Sequence, residues 1–332
     1  MFDYTPGWLA CFRGHGNLVV RRSLSHFLTD PAEVFSRKVC FQMRDFDYAA
    51  PTTVAEAVQL LQSHNGSARP MAGGTDLIDQ VRVGRLTPDL VVDIKKIPEL
   101  SKIEFSASGL RIGAAVPCYR LYHDAQVTAA YTALTDSASI IGGIQIQSRA
   151  SLGGNLCNSG PAADSTPSLI ALGAVVVIAG PQGTREVPVD AFCTGPGKNI
   201  LAPGEIVVEL KLPARAPHSG SAYQRFIPRN EMDIAVVGVG VSVTLDAAGQ
   251  NFVAAKIALG AVAATPLVAT DAAQALIGQP VSDATIQKAA EAARAIARPI
   301  DDMRGTIEFR KHVTGVLTAR VIQQAVERAR GK

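Results

Sequence analysis

Two short runs of this sequence combine residue types that could hold an anion. One is Ala72-Gly73-Gly74-Thr75-Asp76, and the other is Ser151-Leu152-Gly153-Gly154-Asn155. Glycine lets the backbone take conformations that strain other residues, and it lets a ligand approach the chain closely. Successive backbone N–H groups can then form a concave nest for a phosphate. Two such turns, each beside a short hydroxyl or amide side chain, could grip a pyrophosphate from two sides. Two ordinary turns would carry the same glycines, so the pattern alone leaves both readings open. No Gly-Lys-Ser/Thr follows either run, which excludes a P-loop, and neither has the G-x-G-x-x-G spacing of a Rossmann dinucleotide site. Gly238-Val239-Gly240 lacks the third glycine and sits inside a strand-like run.

Other chemistries find little support. There is no G-x-S-x-G elbow and no H-E-x-x-H. His15, His26, His64, His123, His218 and His312 are scattered, which suits surface or loop roles better than metal ligation. Cys11, Cys40, Cys118, Cys157 and Cys193 never come as close in sequence as zinc and iron–sulfur ligands commonly do. Asp301-Asp302 is expected to cap the final helix, because acids favour helix starts. No catalytic residue and no metal ligand is therefore assigned.

The elements that must position the glycine turns follow from periodicity. Thr53-Val-Ala-Glu56 is a capping box, and Val54, Ala57, Val58 and Leu61 form one apolar helix face ending near Gly66. Leu90 to Ile94 and Leu110 to Gly113 read as strands, and residues 119–141, rich in Ala and Leu, as helical. Ser168 to Leu172 suggests a helix. Ala174 to Ile178 and Ile206 to Leu212 suggest strands, with a turn over 181–185 between them. Pro213 to Ser221 is rich in Pro, Gly and Ser and marks a domain boundary. Beyond it, Ala235 to Leu245 and Phe252 to Leu259 read as strands joined by a hairpin at Asp246-Ala-Ala-Gly-Gln250. Residues 266–277, 282–297 and 303–329 read as helices. Strands followed by helices imply an α+β domain with an antiparallel sheet.

Composition bounds the function. The chain has 332 residues, of which 47% are hydrophobic and 18% charged, with net charge +3. It can bury a sizeable core, it spans about two domains at the usual ~150 residues each, and it lacks the basic excess of a nucleic-acid binder. No run of ~18 apolar residues offers a transmembrane helix. An odd, widely spread set of cysteines suits a reducing compartment and a cytoplasmic location. Residues 1–42 stand apart, with 7 of the 18 aromatic residues, the only Trp, and no clear period. They lack the pattern of a signal peptide. The folded protein is expected to begin near Met43, with 1–42 a poorly ordered extension, an overlong start, or an aromatic partner-binding arm. Domains are expected at 43–217, with subdomains of about 43–98 and 99–217, and at 218–332.

The sequence resembles the FAD-carrying medium subunit of molybdenum hydroxylases, of the carbon monoxide dehydrogenase and xanthine dehydrogenase type, from about residue 43 to residue 330. Asp45-Phe-Asp-Tyr48-Ala-Ala-Pro51 resembles the family's opening, and Ala72-Gly-Gly-Thr-Asp-Leu77 its first flavin loop. Arg149-Ala-Ser-Leu-Gly-Gly-Asn-Leu156, continuing through Gly160-Pro-Ala-Ala-Asp164-Ser-Thr-Pro167, resembles the second. Thr194-Gly-Pro-Gly-Lys198 and Pro299 to Gly305 are also similar to family segments. The resemblance implies a vanillyl-alcohol-oxidase/PCMH-type FAD-binding domain of two α+β subdomains, followed by an α+β C-terminal domain. It implies that Ala72, Gly73, Gly74, Thr75, Asp76 and Leu77 form a pyrophosphate loop. Gly153, Gly154 and Asn155 would serve from the opposite side, with Ser151 where the family often has Thr. Asp164 matches the acid that contacts the adenosine part of FAD. Ile200 and Leu201 follow the Thr194–Lys198 segment and are candidates to stack on the isoalloxazine ring. Lys95 and Lys96 fall where the family varies and receive no role. Gly154→Val is expected to abolish flavin retention, because a Cβ would intrude on the phosphates.

The implied partners are a large molybdopterin subunit and a small subunit with two [2Fe–2S] clusters, in a dimer of heterotrimers. FAD in this chain would collect electrons from the clusters for the final acceptor. One branch of the family carries a further iron–sulfur cluster in this subunit, and the cysteine spacing here argues against that. The alternatives are a stand-alone FAD-dependent oxidoreductase acting directly on a small molecule, which would need a proton-handling residue over the flavin, and a nucleotide-binding scaffold without redox chemistry.

Overall fold

The computed structural model describes residues 10–13, 17–20, 43–229 and 232–331. β1 (Ala10–Arg13) and β2 (Asn17–Val20) pair as an antiparallel hairpin. The expectations for 1–42 otherwise lie outside the described residues.

The first unit contains β3 (Asp47–Ala49), α1 (Val54–Ser63), β4 (Ala68–Met71), α2 (Leu77–Arg82) and β5 (Leu90–Asp93). Its three strands run parallel in the order β3-β5-β4. The central strand β5 is buried throughout, as expected for a near-continuous apolar strand of a parallel sheet. α1 buries Ala57, Val58 and Leu61, the face its periodicity predicts. Its capping box is real but offset by one residue. The Thr53 hydroxyl accepts the Glu56 N–H at 3.2 Å, while the Glu56 carboxylate accepts the N–H of Thr52 at 3.0 Å.

The second unit contains β6 (Ile103–Ser106), β7 (Gly109–Gly113), α3 (Cys118–His123), α4 (Ala125–Ala130) and α5 (Thr132–Ala138). It continues with α6 (Ile144–Gln147), α7 (Leu152–Asn158), α8 (Ser165–Ala171), β8 (Val175–Gly180) and β9 (Gly183–Pro188). β10 (Cys193–Gly195), β11 (Lys198–Asn199) and β12 (Ile206–Pro213) complete it. The sheet order is β6-β7-β12-β8-β9, antiparallel throughout. Leu110, Ile112, Val176, Ile178 and Leu210 from the sheet pack with Leu134, Leu156 and Leu169 from the helices in one buried cluster. The helical stretch expected over 119–141 is divided into three short helices, α3, α4 and α5. Asp124 ends α3 and caps α4, its carboxylate accepting the N–H groups of Gln126 at 2.9 Å and Val127 at 3.0 Å. A short acid that bonds its own backbone competes with helix continuation. Tyr131 makes the second break.

The third unit contains β13 (Ser219–Phe226), β14 (Val237–Leu245), β15 (Phe252–Gly260) and β16 (Leu267–Val268). It ends with α9 (Thr270–Gln274), α10 (Asp283–Ile296) and α11 (Ile307–Ala329). The strands form an antiparallel sheet in chain order, with β14 and β15 joined by the expected hairpin. The helix expected from residue 266 starts only at Thr270, because Leu267–Val268 pairs with β15 instead. Asp301 and Asp302 do not cap the last helix. Thr306 does, its hydroxyl accepting the Phe309 N–H at 3.2 Å, while Asp302 accepts from Arg310 Nη2 at 2.6 Å. A hydroxyl directly before the first turn reaches the free N–H that a carboxylate four residues earlier does not.

The third unit packs onto the second at close range. A Cβ on Gly240 would lie 2.5 Å from the Pro167 carbonyl oxygen, and one on Gly260 would lie 2.8 Å from the Pro167 ring. Arg328 forks onto Asp136 at 2.6 and 2.9 Å across the same boundary. The architecture is the α+β arrangement expected. No helix among the described residues is long and apolar enough to cross a membrane.

Candidate functional site

A cleft of about 1210 Å³ runs between the first and second units, with residues of the third at one end. It exceeds the roughly 300–1,000 Å³ of sites for drug-sized molecules, as a dinucleotide site would. Ala72, Gly73, Gly74, Thr75, Asp76 and Leu77 line it from one side. Ser151, Gly153, Gly154, Asn155 and Asp164 line it from the other, and Leu201 contributes from the segment after β11. Ile200 departs from expectation. It is half-buried against the core of the second unit, as Leu201 is, its carbonyl accepts from Arg185 at 3.1 Å, and it is not among the residues that line the cleft.

The first turn follows β4 and leads into α2. Gly74 has φ +78°, a left-handed conformation that glycine adopts without strain. A Cβ on Gly73 would run into the backbone carbonyl of Arg149, so the two glycine-bearing segments touch main chain to main chain. The N–H groups of Gly73, Gly74, Thr75 and Asp76 donate to no described residue. Four consecutive donors in one tight turn make a nest for a phosphate.

That turn is held from below. Lys95 Nζ donates to the Ala72 carbonyl at 2.8 Å and to Asp93 Oδ1 at 2.6 Å. Tyr48 donates its hydroxyl to Asp93 Oδ2 at 2.6 Å. Burial pushes the Asp93 carboxyl up, but the hydrogen bonds from Lys95 and Tyr48 outweigh it and hold the group below the usual carboxylate range. The sequence gives Lys95 no visible role. The signal lies in the register, because β4 and β5 run parallel with Met71 opposite Asp93. The residues that leave those strands are therefore neighbours.

The turns are also tied to each other. Asn158 Nδ2 donates to Asp76 Oδ1 at 3.2 Å, and Gln80 Nε2 donates to Asn158 Oδ1 at 3.1 Å. Crowding by the loop and the charge of Asp79 raise the Asp76 carboxyl above its ordinary value.

The second turn is a helix start. Ser151 caps α7, its hydroxyl accepting the Gly154 N–H at 3.1 Å. Asn155 turns its amide oxygen toward α8, accepting from Ser165 Oγ at 2.6 Å and the Ser165 N–H at 3.3 Å. A Cβ on Gly153 would lie 2.5 Å from the Ala114 carbonyl oxygen. One on Gly154 would meet only the Ser151 hydroxyl, at 3.1 Å. The sharp steric limits therefore sit at Gly73 and Gly153 rather than at Gly154. The Gly153 N–H donates to no described residue.

Asp164 stands at the start of α8 with both carboxylate oxygens engaged. Tyr223 donates its hydroxyl to Oδ1 at 2.9 Å and Arg225 Nη1 donates to Oδ2 at 2.7 Å. Burial pushes its pKa up to about 6, against the pull of Arg225 and Tyr223. Each oxygen retains a second lone pair for a ligand hydroxyl. Among the described residues, Cys118, Cys157 and Cys193 are free, and burial pushes the thiols of Cys118 and Cys157 up to about 12. Such thiols stay protonated and unreactive. No group of three or more His, Cys, Asp or Glu side chains among the described residues is placed to hold a metal ion.

The donor set fits FAD. Main-chain N–H groups at a glycine turn suit a diphosphate, a buried carboxylate suits ribose hydroxyls, and Gly73 keeps the turn free of a side chain.

Comparison with known proteins supports this fit. A family described as the FAD binding domain in molybdopterin dehydrogenase matches residues 44–215. A second, the carbon monoxide dehydrogenase flavoprotein C-terminal domain, matches residues 221–325. The xanthine dehydrogenase FAD-binding subunit of Escherichia coli O157:H7 is 36% identical over 293 residues, covering 86% of this chain and 99% of that protein. The carbon monoxide dehydrogenase medium chain of Hydrogenophaga pseudoflava is 32% identical over 280 residues, covering 84% of this chain and 96% of its own. A solved structure of carbon monoxide dehydrogenase from Hydrogenophaga pseudoflava, lacking the Mo-pyranopterin moiety of its cofactor, superposes with a TM-score of 0.83 at 33% identity, covering 86% and 99% of the two chains. With more than half its length matched by the first family, the chain belongs to the FAD-binding flavoproteins of the molybdopterin dehydrogenases, built on the PCMH-type fold.

Proposed function

We propose that this chain is the FAD-carrying electron-transfer subunit of a molybdenum hydroxylase. It works beside a large molybdopterin subunit and a small subunit with two [2Fe–2S] clusters, in a dimer of heterotrimers in the cytoplasm. Bound FAD would supply a store for two electrons between one-electron clusters and a terminal acceptor. The chain's own work is binding and orientation. Gly73, Gly74, Thr75 and Asp76 offer main-chain donors to the diphosphate. Lys95 and Asn158 fix the shape of that turn. α7 presents its N-terminus from the facing wall, and Asp164 accepts ribose hydroxyls. Leu201 supplies an apolar surface, and no residue of the chain is asked to act as acid, base or nucleophile.

The observation that carries this reading is the run of four N–H groups in the Gly73–Asp76 turn without a partner among the described residues, facing a second glycine turn across a dinucleotide-sized cleft. The test is an absorbance spectrum of the purified chain, followed by identification of what is released on denaturation. Flavin bands and free FAD are expected. A folded chain that stays colourless after incubation with FAD would overturn the reading. Native purification then separates a subunit from a stand-alone oxidoreductase. Molybdenum and iron–sulfur chains should accompany it, and turnover of a small substrate by this chain alone would favour the alternative.

A further inference from the structure

A second cavity, of about 600 Å³, shares no residue with the cleft. It lies where the end of α4, the linker before β13, the β14–β15 turn and the end of α11 meet. Its ionisable lining is Arg215, His218, Arg328 and Arg330, with no acidic side chain among the described residues that line it. Asp246, beside the turn, gives its carboxylate to the Gln250 N–H at 2.7 Å and to the Asn251 amide at 2.6 Å.

The arginines are not alike. Arg328 is neutralised by Asp136, which accepts from it at 2.6 and 2.9 Å. Arg215 donates to the Ala130 carbonyl at 2.6 Å and to the Ser219 hydroxyl at 2.9 Å. Arg330 donates to the Gly249 carbonyl at 2.7 and 3.0 Å, and its Nη1 donates to no described residue. Carbonyl and hydroxyl oxygens thus fix both guanidiniums, and no carboxylate of the described residues matches their charges. Burial holds the Arg215 guanidinium below its ordinary pKa, whereas Glu209 and Glu205 raise those of Arg111 and Arg185. His218 lines the cavity from the linker at φ +53°, a conformation that residues with a side chain rarely adopt, and its carbonyl accepts the Leu245 N–H at 2.9 Å.

Two helix ends weigh against an anion here. α4 and α11 end at Ala130 and Ala329, and a helix C-terminus carries roughly half a negative charge. The two ends together amount to about −1 at most, against about +2 from Arg215 and Arg330, so the cavity stays cationic. A planar carboxylate is satisfied by one guanidinium fork, whereas a tetrahedral phosphate group can meet several such groups at once. The volume falls within the roughly 300–1,000 Å³ of small-molecule sites and leaves room for an organic part beside Ala247 and Ala248.

We propose that this cavity binds a small phosphate ester, its phosphate group held by Arg215, His218 and Arg330, with Arg328 fixed beside them by Asp136. The site is separate from the cleft and does not depend on the cleft's reading as an FAD site.

The test uses the full chain, loaded with FAD and cleared of the excess so that the cleft is filled. A chain that takes up no FAD is titrated as purified. Calorimetry is run with glycerol 3-phosphate, inorganic phosphate and glycerol. Both phosphates should bind with dissociation constants below ~1 mM at low salt, and glycerol should not bind. Arg330→Met should weaken glycerol 3-phosphate by at least ~5-fold, the scale of one lost charge-assisted contact, and Arg330→Lys should recover part of the loss. Arg330 is exposed and holds a single carbonyl, so its removal spares the core. Arg111→Met removes a guanidinium already paired with Glu209 and should leave the affinity within ~2-fold. An ester that binds no tighter than ~1 mM, or that loses less than ~5-fold with Arg330→Met, overturns the site. Equal weakening by Arg111→Met would make the effect one of net charge and overturn it too. Uptake of inorganic phosphate without glycerol 3-phosphate overturns the ester as its ligand.

Discussion

Gly73 is the first glycine of its pair and Gly154 the second of its own, and a Cβ would meet opposite surroundings at each. At Gly73 it strikes the main chain of Arg149. At Gly154 it meets one hydroxyl, that of Ser151, at 3.1 Å. The donors differ too. The first turn leaves four consecutive N–H groups without a partner among the described residues, while in the second the Gly154 N–H is already given to Ser151. Close approach of main chain is common to both turns, at Gly73 and at Gly153, but the first keeps its donors open while the second spends one on a helix start. A double glycine reports that something comes near the backbone. It does not report whether that neighbour is a ligand or another part of the chain.

The comparison breaks most sharply at Gly73. Gly73→Ala forces main chain against main chain, and we expect loss of FAD from the purified chain with a stability cost of roughly 3 kcal/mol or more. Flavin content and a denaturant titration check both. Lys95→Met removes the hold on the Ala72 carbonyl and leaves the buried Asp93 with one partner fewer. It should cost about 1–3 kcal/mol and weaken FAD by ~10-fold, read by quenching of flavin fluorescence.

A change of pH probes the wall behind the second turn. The folded pKa of Asp164, about 6, lies above the unfolded value of ~3.9. The folded state therefore holds that proton more tightly, and this group's contribution to stability falls as pH rises from ~4 to about 6. The stability gap between wild type and Asp164→Asn should change over that window and then level off. FAD affinity should move the other way, falling below pH about 6 as the acceptor is protonated.

Ser151→Ala removes the cap of α7 and should cost about 1 kcal/mol by thermal melting, with little change in flavin content. Gly154→Ala should be mildest for the fold, within ~1 kcal/mol by thermal melting, because only a hydroxyl must yield and alanine favours the helix. A Gly154→Ala chain as destabilised as Gly73→Ala would erase the distinction between the two glycines.

Much of this was legible from the residues alone. The glycine turns, α1 with its cap, the β14–β15 hairpin and the helices α10 and α11 all follow local pattern. What escaped depends on distant neighbours. The break at Asp124 needs a side chain to prefer its own backbone over a helix that Ala and Leu would continue. Lys95 gains its role only when parallel strands bring it beside Ala72. Asp164 shows its acidic residue type in sequence, but Tyr223 and Arg225 reach it from 59 and 61 positions away. Ile200 and Leu201 are alike in sequence and both half-buried, and only the fold shows that Leu201 is the one lining the cleft.

The glycines that face Pro167 have a mechanical consequence. Side chains at a boundary can change rotamer and absorb a displacement, whereas main chain packed on main chain has no such compliance. The seam between α8 and the C-terminal sheet is therefore stiff, closer to a bolted flange than to a hinge. A dinucleotide in the cleft beside it would enter and leave by motion of the turns at the cleft mouth rather than by swinging of the C-terminal domain.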